Sequence, residues 1–474
     1  MIQKLLTKYW LAFHLVILFL AVGLSVLFPG TGMTVSLFWL SFFVIQAFLL
    51  LPSMLPGETM SAARSRASVN IIHDPFLCTG VALIIFAILQ WLNSGCALTY
   101  LDDAEVWRYS PPPVGWLPFS VESYPAFVVM TVFAVCVIGG GILRNGTGKL
   151  SKRFFLDMAS LFSGCIAIYM AAMCLAGHKP YSTWAASPEA CNWGMYFGFW
   201  LIVAIGGHLN FIEEGFTKTF VWSFSAILGN LLGVLLFAQP LGVALFVVAA
   251  LLMLGYWMFF LARQTAGLFA QLKLTVCMLA ALGLVLILLV LLIPENPAKA
   301  KFAQLVDEQY YETLLSGRHF QAPLAWKIWQ DHPWTGAGAQ GFTHYSRMLV
   351  EEADWTKLDA HGGLLSNDWL QFLTEEGIIG TGLLLGLLVI LLIPLFYRLR
   401  FFVKQLMSKT GDGMEFLDID PYVISGIVAT ALVLGLSFVF SPLQSGAILV
   451  SFMYVLAVIP GLLPAGTERG EARG

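Results

Sequence analysis

Residues 377–397 read GIIGTGLLLGLLVILLIPLFY, twenty-one positions without one charged side chain. Glu375 and Glu376 stand directly before this run, and Arg398 and Arg400 directly after it. A helix of that length rises about 31 Å, enough to cross a hydrocarbon core of roughly 30 Å. Lipid offers the backbone no hydrogen-bond partners, so such a run crosses as a helix. The flanking charges give it a direction, because basic residues collect on the cytoplasmic side of membrane spans.

Similar runs recur along the whole chain. They predict helices near 9–28, 33–54, 76–95, 124–143, 154–176, 191–211, 219–239, 241–262, 273–293, 377–397, 422–440 and 443–464. Composition agrees: hydrophobic residues make up 58% and charged residues 11%, against roughly 25% charged in a soluble domain. A water-soluble fold is excluded. Twelve crossings put both termini on one side. With the N-terminus inside, cytoplasmic segments hold 17 of the 25 Lys and Arg residues, while outer segments hold 17 of the 28 Asp and Glu residues. Both termini are therefore expected in the cytoplasm. The first run, Trp10 to Phe28 behind Lys4 and Lys8, ends in Pro29-Gly30 without an Ala-x-Ala-like site, and reads as a retained anchor.

The fold class this predicts is all-α: a polytopic transmembrane bundle of about twelve helices with one large extracytoplasmic helical loop. Residues 1–294 would carry helices 1–9, 295–376 the loop, 377–464 helices 10–12, and 465–474 a cytoplasmic tail. A shorter outer segment, 96–123, contains Pro111-Pro112-Pro113 with Trp107 and Trp116, and suits the headgroup level. Within the large loop, residues 303–315 have helical spacing and offer Tyr310, Tyr311 and Leu314 to a membrane surface or to the bundle. The seven cysteines form no Cys-x-x-Cys pair, and no Cys/His spacing suits zinc. Cys96 and Cys191 both fall in outer segments and leave a pairing open.

Two patterns mislead. Gly336-Ala-Gly338-Ala-Gln-Gly341 fits the dinucleotide fingerprint, but that motif works only between a buried strand and a helix. The preceding segment is Trp-rich and helix-like, so these glycines serve a tight turn or the close approach of an anionic ligand. Asn145-Gly146-Thr147 is a glycosylation sequon on the cytoplasmic side, where it has no use.

The large loop reads Ser316-Gly317-Arg318, then Pro333-Trp334-Thr335-Gly336-Ala337-Gly338, and closes with Asn367, nine residues, and Gly377-Ile-Ile-Gly380. In these motifs and in its helix layout the chain resembles the bacterial O-antigen ligase and polymerase family. That family has Ser-Gly-Arg, then Pro-x-Thr-Gly-x-Gly, then His-Asn followed by Gly-x-x-Gly. The resemblance implies a metal-independent, inverting glycosyltransferase without cofactor, located in the bacterial inner membrane with its loop in the periplasm. Its partners would be a polyprenyl-diphosphate-linked glycan donor, a lipid or glycan acceptor and the bilayer, with no nucleic acid. Arg318 aligns with the family arginine, and its planar fork suits a diphosphate leaving group. Arg347 is a second phosphate candidate.

The chain departs from the pattern twice. Ser366 stands where the family has histidine, and a hydroxyl is no base near neutrality. Gln239-Pro240-Leu241-Gly242 stands where the family has a Ser-Arg pair. His361 is the substitute base on offer, since Gly362-Gly363 lets the chain fold back toward Ser366. His319, His332 and His344 are further outer histidines. Asn367, Gln371 and Glu375 recur at i+4, a polar stripe for sugar hydroxyls or for water. The expected catalytic pair is thus Arg318 and His361, with Arg347, Ser366, Asn367 and Gln371 binding substrate. The alternatives are a non-catalytic relative that binds lipid-linked glycan and, from another class, a flippase. A flippase would be expected to show polar or broken helices at midplane, whereas Asp157 and His14 are among the few polar intrusions here.

Overall fold

The computed structural model describes residues 59–101, 106–145, 149–176, 190–214, 219–264, 303–351, 358, 365–408 and 420–463. The helices expected near 9–28, 33–54 and 273–293, and with them His14, lie outside these residues. The described chain is a helical membrane protein. Its twelve α-helices are α1 Met60–Ile72, α2 Pro75–Leu92, α3 Ser123–Asn145, α4 Lys149–Leu175, α5 Ala190–Glu214, α6 Thr219–Phe237, α7 Pro240–Gln264, α8 Glu308–Asp331, α9 Gly341–Leu349, α10 Asp368–Ser408, α11 Pro421–Leu436 and α12 Gly446–Val458. Among the described residues four stretches are long and apolar enough to cross a membrane: Pro75–Leu92, Ser123–Asn145, Lys152–Cys174 and Asp368–Arg400.

One element was not expected. Part of the 96–123 segment is a small antiparallel hairpin, β1 Leu98–Leu101 with β2 Val106–Tyr109, in the register Leu98 to Tyr109 and Leu101 to Val106. Below it Asn93 holds the proline-rich return by both ends of its amide, donating to Val114 O at 2.9 Å and accepting from Val114 N at 2.9 Å. Trp116 on that return is largely exposed, as a headgroup-level residue would be.

The chain divides into two compact units. The first comprises 1–152, 312–404 and 436–474. In it α2 and α12 pack on α3, which approaches them through Gly139 and Gly141, facing Tyr454 and Leu77. Asp74 starts α2 by accepting Phe76 N–H at 3.0 Å, ahead of Pro75 at the first helical position. The sequon residue Asn145 donates to the other oxygen of Asp74, beside Arg144, so it has a structural role here. Helix α10 is two pieces: Gly377 has φ 64° and ψ −170° and breaks it after Glu376. Beyond the break Ile378, Leu385, Val389, Ile393 and Phe396 are exposed at helical spacing, a stripe for lipid.

The second unit comprises 153–311 and 405–435. Helices α6 and α7 pack on α5, whose Phe197 and Trp200 are fully buried. Polar pins cross its helices. Asn230 donates to Ser160 O at 2.9 Å, Arg153 pairs with Asp420 at 2.8 Å, and Tyr422 donates to Asp157. The intrusion of Asp157 is thereby satisfied. The turn between α6 and α7 is Ala238-Gln239 and carries no cation.

Candidate functional site

The site lies in the first unit and is built on a crossing of two backbones. After α8 the chain turns through 332–340 with φ values of 72° at Gly336, 82° at Gly338 and 58° at Gln340. This turn lies against the break in α10. Ala337 N–H donates to Thr374 O at 2.8 Å and Gly338 N–H to Glu375 O at 2.9 Å. In return Ile378 N–H donates to Pro333 O at 3.0 Å and Ile379 N–H to Trp334 O at 3.1 Å. A Cβ on Gly336 would stand 2.2 Å from Glu375 O, and one on Gly338 2.4 Å from Phe119 O. These glycines exist for backbone-on-backbone contact. The amides of Ala337 and Gly338 are spent, so they form no anion cradle, and a helix rather than a strand precedes them.

A buried polar lock fastens this crossing to α9. Glu375 accepts Gln371 Nε2 at 3.1 Å and the backbone N–H groups of Gln340 and Phe342, at the first turn of α9. Its side-chain oxygens there meet the positive end of the helix dipole. Gln371 Oε1 accepts Leu365 N–H at 3.0 Å, and Asn367 caps α10 by accepting Leu370 N–H at 3.1 Å. Gln371 and Glu375 are buried, so the stripe expected to meet sugars or water faces inward, with Asn367 alone half-exposed.

Arg318 and Ser366 meet through Gln321. On α8 the residues Gln321, Ala325 and Ile328 form the buried face, against Phe342 of α9 and Leu365. Gln321 Oε1 accepts both the N–H of Ser366, at 3.1 Å, and its hydroxyl, at 3.2 Å. Arg318 lies one turn earlier on the flank of that face. Its Nε and Nη2 are buried and have no hydrogen-bond partner among the described residues. Burial lowers its pKa, yet an arginine stays charged in proteins. Two buried, unanswered guanidinium donors are an invitation to an anion.

Arg347 lies elsewhere, exposed in the last turn of α9, three residues after His344. His361 lies outside the described residues. Sequence reasoning missed Gln321, whose one signal was its place three residues after Arg318. It also missed the hairpin's part in the site. The Tyr109 hydroxyl lies 3.3 Å from His344 Nδ1, and Glu122 lies 3.7 Å from His344 Nε2. Ser120 donates to Ala339 O at 3.4 Å. His319 is exposed on α8. Cys96 is a buried free thiol, and the side chain of Cys191 lies outside the described residues. Among the described residues no group of His, Cys, Asp or Glu is arranged to hold a metal ion.

Two histidines of the site are buried where protonation is disfavoured. His332 packs between the rings of Phe119 and Tyr345, and burial lowers its pKa, with Asp331 pulling the other way. Burial also lowers that of His344. A histidine buried neutral binds protons less readily when folded than when unfolded. Its contribution is complete above the ordinary value of about 6.5, and stability is lost as pH falls through and below that value. Thermal unfolding should therefore come earlier at about pH 5 than at about pH 7, and His332→Phe should flatten the dependence. Parallel pH profiles for the two proteins would show that His332 has no share in it.

Residues 226–385 match the O-antigen ligase family. No curated protein matches the chain. The matched stretch contains the Ser-Gly-Arg of α8, the glycine crossing and the break in α10, so the part of the chain that carries the site is similar to the O-antigen ligase family.

Proposed function

We propose that the protein is a membrane glycosyltransferase that moves a glycan from a polyprenyl diphosphate carrier to the hydroxyl of a lipid or glycan acceptor. The family supports ligase- or polymerase-type glycosyl transfer in a membrane. The observation that carries the finer reading is Arg318, with two buried donors unanswered beside the Gln321–Ser366 junction. In the transfer the acceptor oxygen bonds to the anomeric carbon as the bond from that carbon to phosphate oxygen breaks, with inversion. The diphosphate leaves with added negative charge, which a guanidinium fork neutralises without metal or cofactor. The acceptor proton passes to a base. In the same reading the loop 295–376 is periplasmic, the membrane is the bacterial inner membrane, and both termini are cytoplasmic.

Ser366 cannot be that base. Its hydroxyl and amide are both committed to Gln321, and it is 7% exposed. His361 is the base in this reading, and His361→Ala should lower transfer by about 10²- to 10⁴-fold, measured with a lipid-linked glycan in proteoliposomes. An imidazole at 366 must displace Gln321, so rescue of His361→Ala is expected from Ser366→His combined with Gln321→Ala. A second reading, a non-catalytic binder of lipid-linked glycan, is favoured by the same Ser366 lock and by the absent cation at Gln239. It predicts no transfer by the wild type and no change in any variant. Robust wild-type transfer that ignores His361→Ala would retire His361 as the base.

A further inference from the structure

Helix α8 has three faces where a helix packed on a core and facing water has two. At 100° per residue, Gln321, Ala325 and Ile328 share the buried sector. Ser316, Lys327 and Asp331 share an exposed polar sector. Between them Leu315, Ala322 and Trp326 fall within about 40° of one another, and all three are exposed, Leu315 at 51% and Trp326 at 48%. An exposed apolar stripe running beside a polar face needs a cover. Leu314, which the sequence offered to a membrane surface or to the bundle, turns toward the buried sector.

The cover is indicated by what α8 is tied to. Its C-terminal end leads into Pro333 and Trp334, whose carbonyls accept the N–H groups of Ile378 and Ile379. Those two isoleucines begin the exposed apolar stripe of α10, which faces lipid. Trp334 is 65% exposed at that junction, the place of an interfacial tryptophan. The stripe on α8 thus leads, through Trp334, to the start of an exposed apolar stripe of the kind that suits lipid. We infer that α8 lies in the interfacial layer of the membrane, parallel to its plane, with Leu315, Ala322 and Trp326 at the acyl boundary. Arg318, on the seam between this stripe and the buried face, is then held at the depth of lipid phosphates. The proposed donor would reach it by sliding within the leaflet, a consequence that rests on the function proposed above.

Lipid contact can be read without any transfer assay. Benzoylphenylalanine introduced singly at 315, 322 and 326, and at 316 and 327 as polar-face controls, would be photolysed in proteoliposomes containing radiolabelled phosphatidylethanolamine. Labelling several-fold higher at all three stripe positions than at the controls is the expected result. Equal labelling on both faces, labelling at 326 alone, or cross-links from 315 and 322 into protein would each overturn the in-plane placement. Leu315→Glu should also raise the KM for a lipid-linked donor at least several-fold while leaving kcat nearly unchanged. If no transfer is seen with any protein, the functional reading fails while the lipid labelling still decides the placement.

Discussion

Arg318→Ala will weaken binding of the lipid-linked donor by about 10-fold or more, since a hydrogen bond to a charged group contributes roughly 1.5–3 kcal/mol. Transfer should fall at least as far, because the charge on the leaving diphosphate grows in the transition state. Arg318→Lys should recover only part of this, as an ammonium lacks the planar fork. The accompanying stability change separates a binding arginine from a structural one. Among the described residues Nε and Nη2 are buried without partners, and a buried donor left unmet costs about 1–3 kcal/mol. Removing them should leave the thermal midpoint of the empty protein unchanged or higher while donor affinity drops. Titration of donor into nanodisc-embedded protein, alongside thermal unfolding, reads both. A lowered midpoint with undiminished affinity would make Arg318 a packing residue.

Gly377→Ala should have the largest effect on folding. The backbone there, φ 64° and ψ −170°, lies in a region open essentially to glycine alone. An added Cβ would meet Gly336 N and Trp334 O at 2.4 Å. Backbone strain of about 1–3 kcal/mol would add to overpacking of about 1–3 kcal/mol, against a total stability of roughly 5–15 kcal/mol. The variant should lose most of its yield of monodisperse protein. Gly382→Ala is the matched control, because nothing lies within 4 Å of its Cβ position. In a helix interior that change should stabilise by roughly 0.5–1 kcal/mol. Comparable yields and midpoints for the two variants would refute the crossing as the reason for Gly377.

The spans were legible because an uncharged run of about twenty residues has one physical solution in lipid. Arg318 was legible through its motif. The use of the glycines was not, since Gly336 answers to Gly377 and Gly338 to Phe119, and contacts across such separations leave no local periodicity. The hairpin escaped because the residues between its strands, Asp102 to Glu105, include no glycine or asparagine to announce it. For Leu314 the sequence left membrane and bundle both open, and Leu315 as the outward residue was not singled out. A short window gives the period of a helix but not which flank its neighbours will cover.

The contact of Ser120 with Ala339 spans 219 residues. At about 5–20 residues per second of synthesis, the return segment after the hairpin emerges roughly 10–40 s before its partner turn exists. Until then the surface destined for Gly338 has nothing to close it, so the site is assembled only after the later segment has been made. The same geometry limits what can be cut out. The matched stretch begins at residue 226, yet Gln90, Phe119 and Ser120 touch its glycine crossing from earlier in the chain. A fragment excised at the family's boundary would leave that wall behind, and co-expression of the two halves is the minimum that could rebuild it.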